Sequence, residues 1–410
     1  MQKKVGGLRS TEVRPHNRRL ILQLLRSNGS MHRSDLRDAS GLSAAAVTNV
    51  VNDLLDDGLV VERADDGAGA RRVGRPAATV SLAGEARHVV AVQIGAGTYQ
   101  VGVCDLNGSL VASESATFPV REEADVVLAD AADAVRRVIR RSGIDTDQLL
   151  GVGVGAAGVV DPTRRINLVS ANAGWEDVPI ADIFERELGI GTIIEHNVRA
   201  MAAAEVRYGL GAGYESLAFL YARTGLGLAF VFDGRPYRGG SMGSHEVGHI
   251  AVPGAEGRCS CGKTGCLETV VSDRAVLEEL GDGLGTSAPG ASWAEIWAAA
   301  ILDGDAHAIE VRDRVVAALA PTIGTIVEML NPQLIVLGGL LADAGPHIVD
   351  PLGDAVRGRV TPWMRESVDI RATEFGPDSG LVGAGTIALD HFLFGAPIIQ
   401  PRSRETVTTR

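Results

Sequence analysis

Cysteine and aromatic residues are scarce: the 410-residue chain holds four Cys, and Phe, Trp and Tyr make up 4% of it. Four unevenly spaced thiols make no disulfide framework, and a chain of this length can bury sizeable cores without one. No stretch keeps about 18 uncharged apolar residues in a row, the length a membrane-spanning helix requires. The opening MQKKVGGLRSTEVRPHNRR carries charge but lacks the apolar run of a signal peptide. These absences lead us to expect a cytoplasmic protein. With 45% hydrophobic and 22% charged residues, the composition is that of a globular chain of two or three domains.

A net charge of -12 argues against a polyanionic partner, but the charge is unevenly spread. Residues 1–82 hold 13 Lys and Arg against 9 Asp and Glu, net +4, and residues 83–410 carry -16. The first 37 residues alone are net +7. A basic module joined to an acidic body fits this asymmetry, and so does a basic solvated tail.

From Asn17 the periodicity predicts helices. Leu20, Ile21, Leu24 and Leu25 recur at helical spacing up to Asn28-Gly29. A second short helix, Asp35 to Ala39, is expected to start at a Ser34 cap and stop at Gly41. Ser43 then caps a third, in which Val47, Val50, Val51, Leu54 and Leu55 share a face. LVVE after Gly58 and ATVSL at 78–82 read as strands around a Gly- and Arg-rich loop. Together these make a winged helix-turn-helix at 17–82, behind a basic segment at 1–16; the plainer alternative is a helical hairpin. The exposed start of the third helix offers Ser43, Ala44, Ala45, Thr48 and Asn49 to a major groove. Arg71, Arg72 and Arg75 suit a wing that touches phosphates, or a solvated loop between domains.

Beyond Gly84, short Val- and Ile-rich strands alternate with Ala-rich helices. Strands are expected within 88–111, at 149–160, 191–197, 216–234 and 332–339, and helices at 122–141, 198–208 and 306–330. This is an α/β body of two lobes around a cleft. Three of the four cysteines crowd into eight of its residues, and with an upstream histidine they give H-x9-C-x-C-x4-C: His249, Cys259, Cys261 and Cys266. Three thiolates and an imidazole fill a tetrahedron and leave no open position, so a structural Zn2+ is expected. Cys104 stands apart in an apolar strand and reads as simply buried. Glu246 and Glu268 flank the cluster, and a loop pinned by metal can present both carboxylates to one small volume, for acid/base chemistry or for sugar hydroxyls.

With EVGH and CSCGKTGCLE in place, the chain resembles the ROK family (repressor, open reading frame, kinase) over nearly its whole length, with a ROK body at 85–392 and a polar tail at 393–410. The resemblance implies an actin-like ATPase fold of two lobes, zinc at the Cys3His set, and dimers or tetramers. It further implies sugar contacts from Glu246, His249 and Glu268, and from Asn172 of the NAGW loop. Where the family's kinases carry Asp in D-x-G-G-T and in an N-D pair, this chain has Gln93 and Asn197, which can neither hold Mg2+ by charge nor take a proton from a hydroxyl. Arg223 replaces the first glycine of a second phosphate loop, where it would clash with ATP phosphates or bind a sugar phosphate, and His245 stands where the family has glycine. Asn197 keeps the means to hydrogen-bond a sugar. The resemblance thus implies a sugar-responsive regulator on a pseudo-palindromic operator, with kinase chemistry lost; the competing reading is an ATP-dependent sugar kinase with an accessory domain.

Overall fold

The computed structural model describes residues 10–64, 78–240, 243, 245–281 and 292–395. The chain forms two compact units, Met1–Gly84 with Asp390–Arg410, and Glu85–Leu389, so it crosses between them twice.

The smaller unit is a winged helix-turn-helix. Helices α1 (Ser10–Asn28), α2 (Arg33–Ser40) and α3 (Ala44–Asp56) accompany strands β1 (Met31–His32), β2 (Val60–Ala64) and β3 (Ala78–Leu82), with sheet order β1-β3-β2. Its core joins Leu20, Ile21, Leu22 and Leu25 of α1 to Leu36 of α2 and to Val47, Val50, Val51 and Leu54 of α3. Gly41 stops α2 in the left-handed region at φ 69°, where a Cβ would be strained. The Ser43 hydroxyl then accepts the Ala46 amide at 3.2 Å and caps α3. The expected Ser34 cap is corrected: α2 begins at Arg33, two residues before the expected Asp35, behind an extended His32, because His32 is already paired with Thr79 in the sheet. The expected Leu24 is only half-buried, and Leu22 takes its place in the core. The turn Asp390–Phe394, which the sequence reading divides between body and tail, belongs to this unit. Gln23 Nε2 donates to the Phe394 carbonyl at 2.8 Å, and Arg26 pairs with Asp390 at 2.6 Å while lying 4.0 Å over the Phe394 ring.

The larger unit holds two five-stranded sheets. The first, ordered β11-β7-β4-β5-β6, is built from β4 (His88–Ile94), β5 (Thr98–Asp105), β6 (Leu110–Thr117), β7 (Leu149–Ala156) and β11 (Thr192–His196). The second, ordered β14-β13-β12-β15-β16, is built from β12 (Ser216–Ala222), β13 (Leu226–Phe232), β14 (Arg235–Pro236), β15 (Leu334–Gly339) and β16 (Ile370–Ala372). A small sheet of β8 (Val159–Asp161), β9 (Ile166–Ser170) and β10 (Trp175–Val178) adjoins the first. The expected strand at 149–160 is therefore two, because Gly158 turns at φ 94° against the backbone of Val169 and Ser170.

Helices α4 (Ala124–Ser142) and α5 (Ile180–Leu188) cover the outer face of the first sheet. On the second, α7 (Glu268–Val271), α8 (Asp273–Leu280), α9 (Trp293–Leu302), α10 (Ala306–Leu330), α11 (Leu340–Asp343) and α12 (Pro346–Arg357) build the largest core. Between the sheets lie α6 (Asn197–Tyr208) and α13 (Ser379–Leu389), buried on nearly every side. They meet backbone to backbone: a Cβ on Gly383 would sit 2.7 Å from the Ala200 carbonyl carbon. Among the described residues no helix is long and apolar enough to cross a membrane.

Candidate functional site

Strand ends of both sheets converge on a cleft of about 440 Å³. From the first sheet come Gln93 at the end of β4, His196 at the end of β11 and Asn197 at the start of α6. From the second come Tyr221 near the end of β12, Arg223 just after it, and Gly225 before β13. The turn after β9 contributes Asn172, and the cysteine-rich loop contributes Glu246, His249, Ser260 and Glu268. All five sequence-derived ligand residues, Asn172, Asn197, Glu246, His249 and Glu268, thus line one cavity.

The loop from 245 to 268 is shaped by its hydrogen bonds. Short bridges join Ala251 to Cys266 and Arg258 to Thr264, and the Cys259 amide donates to the Lys263 carbonyl at 2.9 Å. Gly262 and Gly265 turn at φ 89° and 75°, a region other residues avoid. The wrap brings one donor atom each from His249, Cys259, Cys261 and Cys266 within 4.8 Å of one another. Cys261 and Cys266 Sγ are 3.7 Å apart, and Cys259 Sγ is 3.5 Å from His249 Nδ1. The set can hold a metal ion. Cys104 is a buried thiol in β5, pushed up to about 12 by burial and the charges of Asp105 and Asp378.

Glu268 links this cluster to the cleft. It is 8% exposed, and its Oε1 accepts from Cys259 Sγ at 2.9 Å and from Ser260 Oγ at 3.4 Å. Its Oε2 turns to the cavity floor, where a Cβ on Gly225 would lie 3.0 Å from it and 3.2 Å from Asn172 Nδ2. Only glycine leaves both polar atoms reachable there. His249 presents its other nitrogen, Nε2, to Glu246 Oε2 at 3.5 Å. Asn197 is 7% exposed, and its Oδ1 accepts the Val198 amide at 2.9 Å.

Buried polar atoms normally find partners. Five that do not, Gln93 Oε1, His196 Nδ1, both ring nitrogens of His245, and Asp273 Oδ1, belong to residues that line this cleft. Their hydrogen-bonding capacity is left over by the fold. Burial and then the neighbouring charge of Arg199 hold His196 down to about 3, and burial and Arg199 lower His245. Both imidazoles are neutral at pH 7 and can each donate and accept. Sequence reasoning missed His196 and Asp273 entirely; His196 stands next to Asn197, but nothing in the pattern marks it as facing a cavity.

In the smaller unit, Ser43, Ala44, Ala45, Thr48 and Asn49 are all exposed at the start of α3. At about 1.5 Å per residue its 13 residues give a rod of roughly 20 Å, suited to a major groove. Arg71, Arg72 and Arg75 lie outside the described residues.

A winged helix-turn-helix on the same chain as a two-sheet body with a polar cleft defines a class of DNA-binding regulators built on a sugar-kinase scaffold. The chain belongs to the ROK family, whose model matches residues 89–391, and the winged helix-turn-helix DNA-binding model matches residues 14–61. It is 24% identical to the xylose repressor of Bacillus spizizenii over 388 residues, 93% of this chain and 97% of that protein. A solved ROK family transcriptional regulator, a homologue of the Escherichia coli Mlc protein, shares the fold at TM-score 0.75 and 23% identity over 92% of this chain and 96% of its own. A ROK glucokinase from Streptomyces griseus, solved with glucose and AMPPNP, matches at TM-score 0.65 and 26% identity over 73% of this chain and 98% of its own.

Proposed function

We infer that this protein is a sugar-responsive transcriptional regulator that binds operator DNA through its winged helix and a monosaccharide in the body cleft. The observation that carries the reading is the union, on one chain, of a helix-turn-helix with a cleft whose buried polar atoms lack partners. A repressor's name on a relative that matches 93% of the chain supports repression as the mode.

Sugar hydroxyls are taken by Glu246 and Glu268, each carboxylate accepting two, and by Asn172, Asn197 and His249 Nε2. The metal is zinc. Tetrahedral Zn2+ with bonds of about 2.3 Å to sulfur and 2.0–2.1 Å to nitrogen implies S···S near 3.8 Å and S···N near 3.6 Å, against separations of 3.7 and 3.5 Å in the cluster. Bound zinc supplies no chemistry to the ligand; it fixes the loop that carries both carboxylates. Burial and Glu268 hold the Cys259 thiol protonated in the metal-free chain, so loading the site releases protons.

DNA is read by Ser43, Ala44, Ala45, Thr48 and Asn49, with Arg71, Arg72 and Arg75 on phosphates. A pseudo-palindromic operator needs two such heads, and hence a homodimer or a pair of dimers in the cytoplasm. An apolar groove of about 960 Å³ beside α10, with Ile250 and Met329 48% and 76% exposed, is a surface of the kind that subunits cover. The ligand acts through its unequal affinity for two states of the body, passed to the heads by the two chain crossings at 84/85 and 389/390.

The alternative, a sugar kinase, is supported by the glucokinase likeness. Gln93 and Asn197 oppose it, since neither amide takes a proton from a hydroxyl or neutralises Mg2+. The test is twofold: DNA from upstream of the gene should bind tightly and lose affinity with salt as phosphate contacts require, and ATP with sugar should yield no sugar phosphate. Phosphorylated sugar from the pure protein would replace this reading with the kinase.

A further inference from the structure

The charged groups facing the cleft are unevenly matched. Glu246, Glu268 and Asp273 are carboxylates, and Arg223 is the one Lys or Arg among the described residues that line it. Arg223 is also already engaged. Its Nη2 meets Asp343 Oδ2 at 2.5 Å, its Nη1 lies 3.8 Å from Asp273 Oδ2, and Tyr221 stands close enough to interact with it electrostatically. Backbone bonds set this geometry: the Arg223 amide donates to the Gly225 carbonyl at 2.9 Å, and the Asp273 amide to the Arg223 carbonyl at 2.8 Å. Asp273 opens α8 and Asp343 closes α11, so two helices 50 and 120 residues further along the chain clamp one guanidinium.

With both carboxylates ionised the cluster carries a net negative charge, so the guanidinium's positive charge is more than offset before any ligand arrives. The neighbouring imidazoles add no positive charge, since His196 and His245 are neutral at pH 7. Arg199, behind them, is spent on Glu195 and the Gly243 carbonyl. A phosphate entering this space meets carboxylates and uncharged donors, and like charges at short range disfavour it. A neutral polyol meets what the orphaned amide and imidazole atoms can pair with.

We propose that Arg223, clamped by Asp343 and Asp273, makes the cleft refuse anions, so that the effector is an unphosphorylated sugar and neither a sugar phosphate nor a nucleotide. The proposal rests on the sugar-responsive reading above and narrows it to one chemical class.

The test is titration calorimetry on the purified full chain. Free sugars and their own phosphate esters (glucose, N-acetylglucosamine, xylose) are compared pairwise, and inorganic tripolyphosphate serves as an anion without a sugar. The effector should bind at least about tenfold tighter than its phosphate, and tripolyphosphate should give no heat at low millimolar concentration. Asp273→Asn with Asp343→Asn releases the guanidinium, so that variant should gain tripolyphosphate binding by about tenfold or more, and adding Arg223→Met should abolish the gain. Asp343→Asn alone, a milder change, should gain a smaller amount. A phosphate ester that binds the unaltered protein as tightly as the free sugar overturns the proposal, as does tripolyphosphate binding to that protein. If neither form of any sugar binds while tripolyphosphate is refused by the unaltered chain and accepted by the double variant, anion refusal stands and the sugar-responsive reading falls.

Discussion

Replacing Glu268 by Gln separates the carboxylate's two tasks. Gln keeps the shape, and its side-chain oxygen can still accept from Ser260 as Glu268 Oε1 does at 3.4 Å. What changes is the other atom, Oε2, which in the native chain faces the cavity beside Gly225 and Asn172. A hydrogen bond from a ligand hydroxyl to a buried carboxylate contributes about 1.5–3 kcal/mol, where a neutral pair gives about 1. The new amide nitrogen also presents a donor in place of an acceptor. A loss approaching the full bond corresponds to a roughly 10- to 150-fold weaker sugar Kd. Calorimetry measures that Kd, with bound metal and operator affinity in the absence of sugar as controls, both expected to stay unchanged. A sugar Kd within about threefold of the parent, with metal retained, would refute the placement of Glu268 at the ligand.

Three further outcomes follow from the same geometry. Cys261→Ser removes one of four ligands, so metal content by atomic emission should fall from one ion per chain to near none, and sugar affinity should fall with it while α3 still binds DNA. Gly383→Ala places a Cβ 2.7 Å from the Ala200 and Met201 backbone, which cannot turn aside, and should destabilise the body by about 1–3 kcal/mol, read as a lower unfolding midpoint. His196 sits at about 3 in the folded chain against 6.5 when unfolded, so between those values the unfolded chain binds the extra proton. Its contribution is whole above pH 6.5 and is lost as pH falls toward 3, by up to about 1.4 kcal/mol per pH unit; His196→Gln should flatten the unfolding profile by that slope.

The parts of the molecule legible in the sequence are those whose chemistry is local. The winged helix announced itself through the Ser43 cap, a glycine turn and one-sided helices, and the cysteine cluster through spacing alone. The central helices did not. Nearly every position of α13 is buried, so it has no polar face to give a period, and its small residues are there for close approach to α6 and β7. The cleft was half visible: residues next to the metal loop were found, but the clamp on Arg223 joins positions 120 apart that no pattern relates. His196 carries an unpaired buried nitrogen only because of what surrounds it in three dimensions. The turn Asp390–Phe394 looked like the end of the body because its attachment to Gln23 and Arg26 spans more than 360 residues.

The central claim is that one chain couples a sugar in the body to DNA at the head. Fluorescence anisotropy of the full protein on its operator, at fixed salt and with increasing effector sugar, measures that coupling directly. The account predicts a shift in operator Kd of at least about tenfold, or 1.4 kcal/mol of coupling, saturating at the sugar Kd found by calorimetry. An operator Kd that stays constant while the sugar demonstrably occupies the cleft would contradict it.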